Sequence, residues 1–524
     1  MRTLINTIVM ITLLMSLSVV KAQELTNKKV LGTLKKAAEY MDSEVAFNGG
    51  YVWYYSEDLS QYFGESPSRK SQVWCHGLRE GGTPSVGHLY MDLYEATGEE
   101  VFSEYAKKAA NALIAGQHWS GGWHYLIDFD RVGTQEWYDN VASQQAQGME
   151  EWRHNFLNCT FDDGATTEPI NYLLRLYLKT LDPDYKATLD KALSFVLEAQ
   201  YPNGGWPQHY PLNNEKTPAG FPQYPVFYTL NDGVLRDNVS TMLEAYEALG
   251  DERYLESAKK AGDFLMIAQG PKEQAGWAEQ YDMNLQPAWS RTHEPAGFMP
   301  RETLSSIYTL ERIYLFTGDR RFLRPIEDAF DWFEKVKLEE SGDAYVYPRY
   351  IAPGIDNLPV RRIDLVDEPR TEEGYVRYRF FTDPDSEYAT LPGEMGEKSI
   401  LRVKRAKEIY NIVKNVAEED RFSMYTELYR KSYESNHIES KYLASMESSK
   451  KSKTPDKVKD SEVLEILNSV NKNGIWIGTI RVLDNRLRMV KSSERDMAME
   501  IPGISMETYA ANMRTLVNWI EQNK

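Results

Sequence analysis

Four tyrosines, Tyr94, Tyr177, Tyr246 and Tyr314, recur at near-regular intervals, each ending an apolar stretch of helical periodicity. The first three are followed by a short turn, a second helical run rich in Lys and Ala, and a loop that begins with Gln and ends in Gly and Trp. These loops run from Gln117 to Gly121-Gly122-Trp123, from Gln200 to Gly204-Gly205-Trp206, and from Gln269 to Gly276-Trp277. Half-copies flank the series at Ala37 to Tyr51 and at Val463 to Trp476, and a fourth copy spans Ile307 to Phe333. A repeat of this length buries its apolar face only against neighbouring copies, and about six helical hairpins of this kind wrap into a ring with their loops on one rim. The fold expected is all-α dominated, an incomplete or closed (α/α) toroid built from repeated helical hairpins.

The beat breaks between about 344 and 392, where Tyr345 to Tyr350, Val360 to Ile363 and Tyr375 to Phe381 alternate as short strands do, predicting a small β-rich insertion. Residues 448–459 are charged and Ser/Lys-rich and read as an exposed loop. Helical sequence occupies Glu397 to Lys441, and Met506 to Gln522 reads as the helix that closes the ring. Residues 1–22 have the build of a secretory signal, with Arg2, an apolar run from Ile8 to Val20 and small residues before Gln23. This predicts a single catalytic domain over residues 23–524, secreted or periplasmic, with no membrane span after the signal.

The sequence has 60 Lys and Arg against 78 Asp and Glu, a formal charge of −18. Nothing resembles the basic stripe that neutralises a phosphate backbone, so a nucleic-acid partner is not expected. Its two cysteines, Cys75 and Cys159, make neither a disulfide framework nor a metal-ligand pattern.

Polar residues gather where the repeats turn. Gly204 to Pro211 carries Trp206, His209 and Tyr210, and Thr229 to Gly233 carries Asn231 and Asp232 just ahead of a helix. Asn231-Asp232-Gly233 has two readings, a turn with a helix cap or a ligand for a hard cation or sugar. Trp277 to Asp282 leads to Arg291, His293 and Glu294, and such charges collected on one rim suit an anionic carbohydrate. Trp123 and Trp277 read as caps packed in an inter-helix groove. Trp206, with polar neighbours, reads as part of a sugar-binding surface.

The ordered series Gly205-Trp206-Pro207-Gln208, Asn231-Asp232-Gly233, Trp277 to Asp282, Arg291 to Pro295 and Glu302 resembles the pectate lyases of the tenth polysaccharide lyase family. The resemblance covers residues 170–364. It implies an α/α toroid, Ca2+, and β-elimination on a polyuronate with arginine as Brønsted base. On these positions Asp232 takes the acidic, calcium-associated place, Asp282 is a second metal candidate, and Arg291 binds a substrate carboxylate. The family closes on two arginines, the second being the base. Arg349-Tyr350 matches the first, and the second falls at Arg362, one position short of the family's spacing.

The chemistry asks for these groups on its own terms. Removing the proton α to a uronate carboxylate builds enediolate-like charge, so a cation or guanidinium must neutralise that carboxylate while a base reaches the carbon. Arginine is a reluctant base, with a pKa above about 12. His209 with Tyr210, or His293, therefore stays open as the base. The expected function is a secreted polysaccharide lyase cleaving a pectate- or ulvan-type uronate polymer to 4,5-unsaturated products. The alternatives are a toroidal glycoside hydrolase using Asp232 with Asp282 or Glu294, and a non-catalytic glycan-binding toroid.

Overall fold

The computed structural model describes residues 25–64, 67–77, 81–130, 159–212, 224–290, 294–354, 357, 359–364, 378–381, 398–429, 457–482 and 499–524, the side chains of 361–364, 378–381 and 398 excepted. The signal segment 1–22 and residues 448–456 of the charged loop lie outside them; Lys457 and Lys459, at its end, are exposed.

Helix α1 (Asn27–Tyr40) precedes four hairpins, α2 (Thr83–Thr97) with α3 (Glu100–Ala115), α4 (Thr167–Thr180) with α5 (Pro183–Ala199), α6 (Val234–Leu249) with α7 (Glu252–Ala268), and α8 (Pro300–Thr317) with α9 (Arg324–Val336). Then follow α10 (Val403–Val413), α11 (Arg421–Tyr429), α12 (Asp460–Ser469) and α13 (Met506–Gln522). The inner helices α13, α2, α4, α6, α8 and α11 pack side by side in that order, with α3, α5 and α7 packed behind them. Helices α1 and α2 both rest on α13, so the last helix joins the first hairpin and the architecture is an α/α toroid.

The repeat tyrosines mark where inner helices stop. Gly98, Leu181, Gly250 and Gly318 adopt left-handed backbone, with φ of 72°, 55°, 71° and 76°. Their N–H groups donate to the carbonyls of Tyr94, Tyr177, Tyr246 and Tyr314 at 2.7–2.8 Å, satisfying acceptors that the helix end leaves open. Three of the four outer segments begin on aspartate: Asp182 and Asp251 accept from the N–H two residues ahead at 3.0 Å, and Asp319 does the same ahead of α9.

The loop tryptophans are interior. The indole N–H of Trp123, Trp206 and Trp277 donates to the carbonyl of Leu113, Val196 and Leu265 at 2.8–2.9 Å, and all three side chains are fully buried. Each loop glutamine fastens two elements together. The Gln117 amide donates to the Gly121 and Thr188 carbonyls, Gln200 to Gly204 and Ser257, and Gln269 to Ala275 and Pro325. One partner is in its own loop and the other lies in the next outer helix.

Besides short two-stranded ladders between the loops, strands gather in two places. A five-stranded sheet joins Tyr54–Ser56, Tyr62–Phe63 and Pro67–Ser68 to Gly478–Val482 and Met499–Ser505, tying early chain to late chain. The expected β-rich stretch carries Ala344–Pro348 between Glu339–Ser341 and Lys398–Leu401, and Arg361–Asp364 paired with Tyr378–Phe381. Its strands thus begin before 344 and end after 392. Among the described residues no helix is long and apolar enough to cross a membrane.

Candidate active site

Three loops reach the N-terminal ends of α4, α6 and α8, and short antiparallel ladders lace them together. Cys159–Thr160 pairs with His209–Tyr210, and Tyr228–Thr229 pairs with Gln280–Tyr281. Equivalent positions therefore recur around the rim. Two residues after each loop tryptophan stand Tyr125, Gln208 and Glu279, whose carbonyls accept from the N–H of Cys75, Phe161 and Leu230 at 2.8–2.9 Å. One residue beyond those donors stand His76, Asp162 and Asn231.

Among the described residues, a tight acidic group sits ahead of α4 and α6. Asp162, Asp163 and Asp232 each bring a carboxylate oxygen to within 4.8 Å of the others. Asp163 and Asp232 share the same left-handed backbone, φ 50° and ψ 24°, and Gly164 and Gly233 follow at φ 77° and 79°. Two consecutive left-handed residues turn the chain sharply into the helix and leave the aspartate on the rim. Asp162 is 5% exposed; its Oδ2 accepts from the Tyr125 hydroxyl, and its Oδ1 is buried without a hydrogen-bond partner. Asn231 holds the matching place in the next repeat, donating to Asp232 Oδ2 at 3.2 Å.

Three carboxylates this close repel one another unless a cation or proton intervenes, and a buried orphan carboxylate oxygen is costly. An all-oxygen donor set of this charge fits a hard divalent cation such as Ca2+. Arg236, one turn into α6, is paired with Asp237 at 2.7 Å and lies in the field of Asp163 and Glu302.

A second group of carboxyls lies ahead of α8 and in its first turn. Burial raises Glu302 to about 7, with the Arg236 guanidinium opposing and the Asp232 charge adding to the rise. Glu279 is likewise pushed up, by burial first and then by the neighbouring Glu294 carboxylate, with Arg349 pulling the other way. Tyr350 donates to Glu279 Oε2 at 2.8 Å, and Ser290 to Glu294 Oε2 at 2.7 Å. Arg349, 7% exposed, has a buried Nε without a hydrogen-bond partner. A guanidinium in that state is suited to receive an anionic group.

The structure brings Asp232, Asn231, His209 and Arg349 to one rim and corrects two expectations. Trp206 does not offer a sugar platform, because its ring fills the groove beneath α5 and is fully buried. Asp282 stands apart from the carboxylate group; its Oδ1 accepts from the N–H of Asn284 and Gln286 at 2.8 and 3.0 Å, fastening the turn after strand Gln280–Tyr281. Glu294 is on the rim but buried at 2% exposure. His209 lies opposite Thr160, two residues before Asp162. Burial lowers the His209 imidazole to about 4, so at neutral pH it carries no charge. Tyr210 packs edge-on against Phe195 at 5.4 Å. Arg362 is on the strand opposite Phe380, with its side chain outside the described atoms. Arg291 and His293 also fall outside the described residues.

Sequence reasoning overlooked Asp162 and Asp163. Their signal is nonetheless present: Phe161-Asp-Asp-Gly164 returns as Leu230-Asn-Asp-Gly233 at the same interval that separates Tyr177 from Tyr246.

Residues 130–348 match the pectic acid lyase family, and the chain resembles the tenth polysaccharide lyase family. Similar solved structures include a family 10 polysaccharide lyase from Cellvibrio cellulosa, a variant of which was solved with trigalacturonic acid, at 19% identity over 51% of this chain and 83% of that one, TM-score 0.35. The unsaturated glucuronyl hydrolase of Bacillus sp. GL1 is similar at 10% identity over 94% and 96%, TM-score 0.37. The α-1,6-mannanase of Salegentibacter sp. HEL1_6 is similar at 11% over 94% and 98%, TM-score 0.36.

Proposed function

We propose that this protein is an exported polysaccharide lyase that cleaves a uronate polymer of pectate or ulvan type by β-elimination. The observation that carries the reading is the junction, on one rim, of the Asp162, Asp163 and Asp232 carboxylates with the partnerless Arg349 Nε, within or beside a segment matching pectic acid lyases.

In this reaction a base takes the proton at C5, the C–H electron pair forms the C4–C5 double bond, and the C4–O bond breaks with its electrons leaving on oxygen, which then receives a proton. Asp162, Asp163 and Asp232 would hold Ca2+, which supplies positive charge against the uronate carboxylate and acidifies the adjacent C–H. Arg349 receives and orients a carboxylate of the chain, and Arg291 shares that task. Arg362 is the base in this reading. His209 is the second choice: burial keeps its imidazole neutral and able to accept a proton, though it lowers its basicity. The raised Glu279 and Glu302 carboxyls keep protons near neutrality and are suited to protonate the departing oxygen.

One observation favours a second reading. Glu302 with a raised pKa in the field of Asp232 is the kind of unequal carboxyl pair a glycoside hydrolase uses. The two readings part on product. Incubation with polygalacturonate, ulvan, alginate and glycosaminoglycans, with and without Ca2+, yields absorbance at about 235 nm if the general base drives elimination. New reducing ends without that chromophore establish hydrolysis instead.

A further inference from the structure

The carboxylate group has a support that comes from outside the matched segment 130–348. Tyr125 opens the strand Leu126–Asp128, which pairs with Gln72–Trp74, and its carbonyl is held by the Cys75 N–H at 2.8 Å. Its ring is clamped between His76, 5.5 Å away, and His124, 4.9 Å away, both at steep interplanar angles. His76 is itself wedged against Trp53 and Trp74, each 5.2 Å distant. A ring so enclosed has little freedom to swing, and its hydroxyl is delivered to Asp162 Oδ2. Asp162 is held from the other side by its own N–H, which donates to Thr160 Oγ1 at 3.1 Å.

The repeat makes this contact informative. At the place Tyr125 occupies in its loop the next two loops carry Gln208 and Glu279, and at the place of Asp162 the next repeat carries Asn231. Among these equivalent repeat positions, the phenol-to-carboxylate contact is made at the Tyr125–Asp162 junction and is replaced by Gln208 and Asn231 at the next. With Oδ2 occupied by the phenol, Oδ1 is the oxygen left buried and without a partner.

We propose that Tyr125 is a positioning residue for the cation site: its hydroxyl fixes the Asp162 carboxylate so that Oδ1 is turned toward a divalent cation shared with Asp163 and Asp232. The inference rests on the reading of this carboxylate group as a cation site. Groups that orient a metal ligand from behind change affinity by about 10- to 100-fold when removed.

The test is calorimetric titration of the full-length protein with Ca2+ alone, without polymer. Tyr125→Phe weakens Ca2+ binding about 10-fold, leaves the Ca2+-free melting temperature unchanged, and has no further effect in an Asp162→Asn background. In wild-type protein labelled at tyrosine Cζ, Ca2+ shifts the Tyr125 resonance, a readout that does not depend on the variant folding. Wild-type affinity in Tyr125→Phe, an equal effect with Asp162→Asn present, or an unmoved resonance overturns the proposal while the lyase reading stands. Wild-type protein that forms the unsaturated product yet binds no Ca2+ overturns both the positioning role and the cation site, again apart from the elimination reaction.

Discussion

Asp163 and Asp232, one repeat apart, hold the same backbone conformation at the same place in successive repeats and contribute to the same carboxylate group. An internal repeat has thereby been used twice to build a single site, with the first copy adding Asp162 where the second has Asn231.

In the proposed reading, that duplication distinguishes cation ligands from nearby acids. Asp163→Asn and Asp232→Asn each raise the Ca2+ concentration needed for half-maximal chromophore formation, by about 10-fold or more. Asp282→Asn leaves it unchanged, because that carboxylate holds a turn. A titration of Ca2+ into chelator-treated enzyme measures all three.

In the proposed reaction the arginines divide the labour between base and binding. Arg362→Ala abolishes elimination while oligosaccharide affinity, read by calorimetry, is retained. Arg349→Ala lowers kcat/KM by about 100-fold or more through lost charge stabilisation. Wild-type turnover in Arg362→Ala transfers the base to His209, and His209→Phe then carries the loss.

Glu168, in the first turn of α4, is raised to about 8 by burial, against the Gly77 N–H that donates to it and with the Asp237 charge adding to the rise. Unfolded, a glutamate titrates at about 4.3. Between these values the folded protein holds more protons than the unfolded chain, so the contribution to stability is complete below about pH 4.3 and is lost as pH rises through about 8. Glu168→Gln removes this dependence: its melting temperature exceeds that of wild type increasingly between pH 6 and pH 9. Parallel melting curves across that range would refute it.

Leu181 ends α4 at φ 55°, where its counterparts Gly98, Gly250 and Gly318 have no side chain to clash. It is largely exposed and fills nothing. Leu181→Gly stabilises the protein by about 1 kcal/mol, since a left-handed residue with Cβ costs about 1–2 kcal/mol and glycine in the unfolded chain returns part of it. Thermal unfolding reads the change directly.

The helical scaffold was legible because its signals are local and repeated. Each tyrosine interval ends in a left-handed turn, and Met506 to Gln522 is a helix as its periodicity indicates. Pairing between Tyr54–Ser56 and Met499–Ser505 was not legible, since a ladder joining the early chain to its far end leaves no trace in either short segment. Trp206 misled for a different reason. Polar neighbours in sequence say little when alternate residues of a loop face opposite ways, and the ring turned inward as it does in Trp123 and Trp277. The rim carboxylates were half legible. Asp232 stood out by motif, whereas Asp162 and Asp163 required laying one repeat over the next, and Tyr125 required knowing which loops are neighbours in space.

The paired amide contacts of Gln117, Gln200 and Gln269 reach from each loop into the following outer helix. Neighbouring repeats are therefore thermodynamically coupled, and no single hairpin can melt without disturbing the next. An open solenoid frays from its terminal units. Here the first and last segments share a sheet and a helix contact, so the first hairpin is buttressed by the end of the chain, and fraying on that side must first release the C-terminal strand and helix.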